Sequence, residues 1–152
     1  MRNSFALIFR NPCLMPALVS WAVAQILKVL LILLTRHKLD PTRFIGSGGM
    51  PSAHSAFVCA LSIATGMNCG FDSGVFAVAA ALAIVVMYDA AGVRRAAGQQ
   101  AEKINKIIEH LIDKSAGYQD TEKQLRELLG HTPLEVFAGA CLGILIAVLW
   151  SI

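Results

Sequence analysis

The feature that most constrains this chain is the alternation of long, nearly uncharged apolar blocks with short charged segments. Charge gathers in residues 1–10, 36–43 and 94–127, and the stretches between carry almost none. Only 15% of the 152 residues are charged, whereas 56% are hydrophobic. A soluble domain carries a charged share of about 25%. Apolar blocks of this length, punctuated by charge, are the pattern of a helical membrane protein.

Composition excludes several functions. A net charge of +3 without a dense basic run gives nucleic acid no electrostatic footprint. The four cysteines, Cys13, Cys59, Cys69 and Cys141, form no C-x-x-C pair, so neither a disulfide framework nor a zinc site is expected. Arg2 and the Ala22-Val23-Ala24 triplet superficially fit a signal peptide. Arg10, Asn11, Pro12 and Pro16 interrupt its apolar core, however, and the apolar stretch runs on past Ala24, so cleavage is not expected.

The expected architecture is all-α, a single membrane domain over residues 1–152. Residues 3–10 read as an interfacial segment, and Asn11-Pro12 as an N-cap and first helical position. About four transmembrane helices follow, near 12–36, 52–67, 73–93 and 132–150. The second is short for a bilayer and is preceded by Gly46-Ser47-Gly48-Gly49-Met50-Pro51, a loop expected to dip below the membrane surface. Residues 94–130 read as a cytosolic helical hairpin insert. Its first arm continues from the third span, with Ile104, Ile107, Ile108, Leu111 and Ile112 at amphipathic spacing. A turn at Ala116-Gly117 and a capping pattern of Thr121 and Gln124 would open its second arm.

With four spans, one side carries only Arg2 and Arg10. The other carries Arg36, Lys38, Arg43, Arg94, Arg95, Lys103, Lys106, Lys114, Lys123 and Arg126. The positive-inside rule makes that second side cytoplasmic. The expected location is therefore a bacterial inner membrane or its organellar equivalent.

Reactive residues gather at that same side. Lys28 lies in the cytoplasmic half of the first span, with Gln25 a turn away on the same face. Ser52 and His54 open the second span, Asp89, Arg94 and Arg95 close the third, and His131 and Glu135 open the fourth. The chemistry fits phosphate. Lysine and arginine bind phosphoryl oxygens by charge-assisted hydrogen bonds, and a glycine-rich loop entering a helix N-terminus offers free N–H groups and a positive dipole end. Two histidines can divide the work as nucleophile and general acid. Glu135, four residues after His131, shares its helix face and can fix its tautomer. Plainer roles stay open. Lys28 can snorkel, Ser52 can serve as an N-cap, Asp89 can neutralise Lys28 or an arginine, and the arginines can be interfacial anchors.

Three segments carry a family resemblance: Gly48-Gly49-Met50-Pro51-Ser52-Ala53-His54-Ser55, Asp89-Ala90-Ala91-Gly92-Val93-Arg94-Arg95 and Leu129-Gly130-His131-Thr132-Pro133-Leu134-Glu135-Val136. With Lys28 they resemble the divergent branch of the type 2 phosphatidic acid phosphatase superfamily, the acid phosphatase/vanadium-dependent haloperoxidase-related membrane proteins. The resemblance implies that His131 attacks phosphorus, Glu135 orients it and His54 protonates the leaving oxygen. It implies phosphate contacts from Lys28, Ser52, Gly49 and Arg94 or Arg95, support from Asp89 and Gln25, a small residue at Gly139, no metal and no cofactor. This chain departs from the superfamily pattern. Thr35 stands where the first motif has arginine, with Arg36 one residue off and no proline following; Glu135 replaces an aspartate; Arg94-Arg95 is separated from His131 by the insert; and the chain has room for about four helices where the superfamily core usually has six.

The expected function is hydrolysis of a membrane lipid phosphate monoester, of phosphatidylglycerol phosphate or phosphatidic acid type, through a phosphohistidine. The alternatives are a catalytically silent phosphate- or phospholipid-binding membrane protein, or a small transporter or assembly subunit using Lys28 and Asp89 as an ion pair. The expected partners are the lipid substrate and the bilayer; homo-oligomerisation stays open. Topology is directly testable. With the native cysteines replaced by serine, Asp120→Cys should react with a membrane-impermeant maleimide in lysed cells only. Labelling of intact cells would invert the orientation.

Overall fold

The computed structural model describes residues 4–36, 49–114 and 130–152. They form six helices: α1 (Ser4–Ile8), α2 (Leu14–Arg36), α3 (Ala53–Cys69), α4 (Gly74–Ala91), α5 (Val93–Lys114) and α6 (Pro133–Trp150). The protein is all-α, as its hydropathy pattern predicts. Three segments are long and apolar enough to cross a membrane: Leu14–Leu34, a stretch within Gly74–Ile108, and Pro133–Trp150. α3, at 17 residues, rises about 26 Å, short of the roughly 30 Å hydrocarbon core. The expectation of about four spans therefore rests on α3, which lies among the others rather than at the perimeter.

Local chemistry sets the helix ends. The Asn11 carboxamide oxygen accepts from the N–H groups of Cys13 (2.9 Å) and Leu14 (3.0 Å), capping α2 at the residue the sequence indicates. Ser52 caps α3 and Ser73 caps α4. Gly70, at φ +93°, closes α3 by returning its N–H to the Gly66 carbonyl. The third span does not run unbroken into the insert. Gly92 ends α4, yet its N–H bonds to Tyr88 and its carbonyl accepts from Ala96, so α5 follows with little loss of backbone pairing. Gly46–Gly48, the Ala116-Gly117 turn and the Thr121/Gln124 helix lie outside the described residues.

α3 is the hub, packed against α2, α4 and α6. Its buried residues are small: Ala53, Ser55, Ala56, Ala60, Ser62, Ala64 and Gly66 among them. α2 meets it with the stripe Ala17, Ser20, Ala24 and Lys28, all at helical spacing and all buried. The Ser20 hydroxyl donates to the carbonyls of Ala17 (2.8 Å) and Ala56 (3.0 Å), which ties the two helices. α6 meets α3 through Val136, Gly139, Gly143 and Ala147. A Cβ at Gly139 would collide with the Ser52 carbonyl, and one at Gly143 with the Ala56 carbonyl. Small residues let helix backbones approach closely where lipid removes any hydrophobic drive between helices. The perimeter is correspondingly greasy, with Val78, Ile84, Val85, Leu134 and Phe137 exposed.

The α3–α6 crossing should therefore tolerate no added methyl. Gly143→Ala should lower stability in detergent by about 1–3 kcal/mol, read as a fall in unfolding temperature. Gly74→Ala, where a Cβ meets open space, should leave it within about 0.5 kcal/mol. Equal effects at the two glycines would show that the crossing is not tight.

Candidate functional site

The first turn of α6 organises the polar end of the bundle. Thr132 and Glu135 form a capping box: the Glu135 N–H donates to the Thr132 hydroxyl (3.3 Å), and the Thr132 N–H donates to Glu135 Oε2 (3.0 Å). The same Oε2 lies 3.2 Å from His131 Nδ1. A carboxylate at Nδ1 favours the neutral tautomer with its proton there, which leaves the lone pair on Nε2. His131 is 4% exposed, and its N–H donates to the Ala90 carbonyl at the end of α4 (3.0 Å). Burial holds its imidazole below the ordinary histidine pKa, and the Glu135 bond partly offsets this.

α3 enters the site against the same turn. The Ser52 N–H donates to the Glu135 carbonyl (3.0 Å), and Gly139 sits one turn further along, against the Ser52 carbonyl. Ser52 is fully buried, and its hydroxyl oxygen accepts from the Ser55 N–H (3.4 Å) and the Ser55 hydroxyl (3.0 Å). The two hydroxyls thus form a buried pair at the start of α3, where a hydroxyl can both accept and donate. Ser55 is thus a site residue that the sequence reading passed over. The Ser-x-x-Ser spacing at a helix start is the signal that could have revealed it.

Lys28 is only 5% exposed and does not snorkel to water. Gly49, at φ +92°, covers its aliphatic stem, and a Cβ there would lie 3.5 Å from Lys28 Cγ. Glu135 is near enough to act on Lys28 electrostatically, and Lys28 and His54 both act on His131. Gln25 is half-buried one turn below Lys28.

The separation of arginine from histidine in sequence disappears in the fold. Gly130, at φ +94°, rests on the backbone of Arg94 and Arg95 so closely that a Cβ would overlap it. The residue before His131 therefore touches the start of α5. The Arg94 guanidinium pairs with the Asp89 carboxylate, both more than a third exposed. Of the two cations that Asp89 was expected to neutralise, its carboxylate meets the arginine. Arg95 is exposed and adjoins the site through its backbone.

His54 is placed differently from the other polar residues. It is exposed at the start of α3 and lines an apolar groove with Leu18, Trp21, Phe57, Val58 and Val86. It remains within electrostatic reach of Arg94 and Lys28. Among the described residues no group of three or more His, Cys, Asp or Glu side chains is placed to hold a metal ion.

A 41% identical relative, over 147 residues covering 91% of this chain and 93% of its own length, is the uncharacterized membrane protein YuiD of Bacillus subtilis (strain 168). No solved structure matches the chain significantly. The model of the divergent PAP2 family matches residues 9–146, nearly the whole length over which α2, α3, α4 and α6 assemble the polar site. The chain is a membrane protein and belongs to that family.

Proposed function

We propose that this protein is a phosphatase that cleaves a lipid phosphate monoester, of phosphatidic acid or phosphatidylglycerol phosphate type, at the cytoplasmic face through a phosphohistidine. The observation that carries this reading is the pairing of buried His131 with half-buried Glu135, held by backbone bonds to α4 and α3 in the same layer as Lys28 and Ser52. His131 Nε2 attacks phosphorus, and the P–O bond to the lipid breaks. Glu135 stabilises the imidazolium that forms. His54 gives its proton to the departing oxygen, then takes one from the water that releases phosphate. Lys28, the Ser52 hydroxyl and an arginine neutralise charge on the phosphoryl oxygens. Arg95 suits this better than Arg94, whose guanidinium is already paired with Asp89. That pairing, with Thr35 in the place of a motif arginine, is what favours the second reading, a phosphate-binding protein without turnover.

Purified protein with a panel of lipid phosphates in mixed micelles separates the two. His131→Ala should cut kcat by about three orders of magnitude or more. His54→Ala should cost about 10²–10⁴ on lipid substrates and less on nitrophenyl esters, whose leaving groups need no proton. Vanadate should inhibit and EDTA should not. The nucleophile must be unprotonated and burial depresses its pKa, so the acid limb of the rate profile should fall below pH 6.5, the ordinary histidine value. Near-normal turnover by His131→Ala would remove it as nucleophile, and loss of activity in EDTA restored by magnesium would remove the mechanism.

A further inference from the structure

The groove that His54 borders has a volume of about 400 Å³, and its walls are almost entirely carbon. Leu18 and Trp21 come from α2, Phe57 and Val58 from α3, and Val86 from α4. Each wall steps away from the charged layer in the same direction. On α2 the order is Lys28, Trp21, Leu18; on α3 it is Ser52, His54, Phe57, Val58; on α4 it is Asp89, Val86. By helix rise the α2 wall descends about 15 Å from Lys28 to Leu18. Trp21 and Lys28 are two turns apart and share a face. The groove opens between helices whose composition suits them to the bilayer, and Leu18 and Trp21 on its rim are exposed.

Its occupant must satisfy two demands at once. Hydrocarbon has to cover the wall, because water in an apolar cavity of this kind finds no partners. A polar atom has to meet His54, because an imidazole sealed against hydrocarbon without a partner is costly. The apolar faces that a second copy exposes, with Val78, Ile84, Val85, Leu134 and Phe137, would meet the first demand and offer nothing for the second. An amphiphile with its polar end in the charged layer meets both. The geometry points to this groove as the seat of one hydrocarbon chain of the phosphorylated lipid, with Trp21 and Phe57 setting which chains fit. The inference rests on the lipid-phosphate reading above and adds to it the place where the chain lies. The lipid would enter sideways from the membrane, with its ester oxygen arriving beside His54.

Trp21 reports on the occupant directly. The chain has 2 tryptophans, and Trp150 lies at the far end of α6, so Trp150→Phe leaves Trp21 as the sole emitter. The probe is a non-hydrolysable diacyl phosphonate brominated along one chain, compared with phosphatidylcholine carrying the same bromines, both in detergent micelles. The phosphonate should quench Trp21 saturably, at least about tenfold more effectively than the phosphatidylcholine. Val86→Phe or Leu18→Phe, each checked for an unchanged unfolding temperature, should shift half-saturation at least about tenfold; tenfold is 1.4 kcal/mol. Equal quenching by the two lipids would reduce the groove to ordinary boundary lipid and overturn the proposal. So would saturable quenching that neither substitution alters, or protection of Trp21 that follows dimer formation. Selective quenching without any phosphate release would sink the phosphatase reading and leave the groove. Turnover without selective quenching would do the reverse.

Discussion

The close approach of α3 and α6 backbones is the constraint on which the rest of this structure depends. Gly139 and Gly143 let α6 lie directly on the carbonyls of Ser52 and Ala56, where no larger residue fits. In a bilayer, lipid tails compete with any apolar side chain, so helix association has to come from close packing and polar ties. The crossing supplies both: glycine–carbonyl contact along its length and the Ser52 N–H bond to the Glu135 carbonyl at its end. Because that bond joins the first turns of both helices, the packing of the bundle and the placement of the polar residues are one arrangement.

Glu135 shows how few groups are needed once that frame exists. One carboxylate oxygen caps α6 and faces His131 Nδ1, while the backbone carbonyl of the same residue holds Ser52. The positive dipole end of the helix N-terminus suits an acidic side chain in this position. The Glu135 side chain reaches back past the Thr132 N–H to the histidine that precedes the helix.

Much of the fold was legible because membrane burial imposes it locally. The Leu14–Arg36 and Pro133–Trp150 helices follow from apolar length alone, and Asn11, Ser52 and Thr132 mark helix starts by their capping chemistry. The break at Gly92 was less legible, since hydrogen bonding carries on across it and the amphipathic pattern of α5 follows at once. In the site, the His131–Glu135 pairing was legible from i,i+4 spacing within one helical turn. The support of Ser52 by Ser55 was missed, although its spacing is equally local.

By itself, then, the sequence determined the all-α membrane class, the helix starts and the concentration of polar residues at one end, because propensity, capping and hydropathy act over a few residues. Only tertiary structure decided that Gly130 rests on Arg94 and Arg95, that Lys28 is buried beneath Gly49, that Asp89 serves Arg94, and that His54 faces an apolar groove. Each of these depends on the rotation and depth of one helix against another. Those are fixed by where glycine and alanine allow backbones to meet, and no single segment of the chain carries that information.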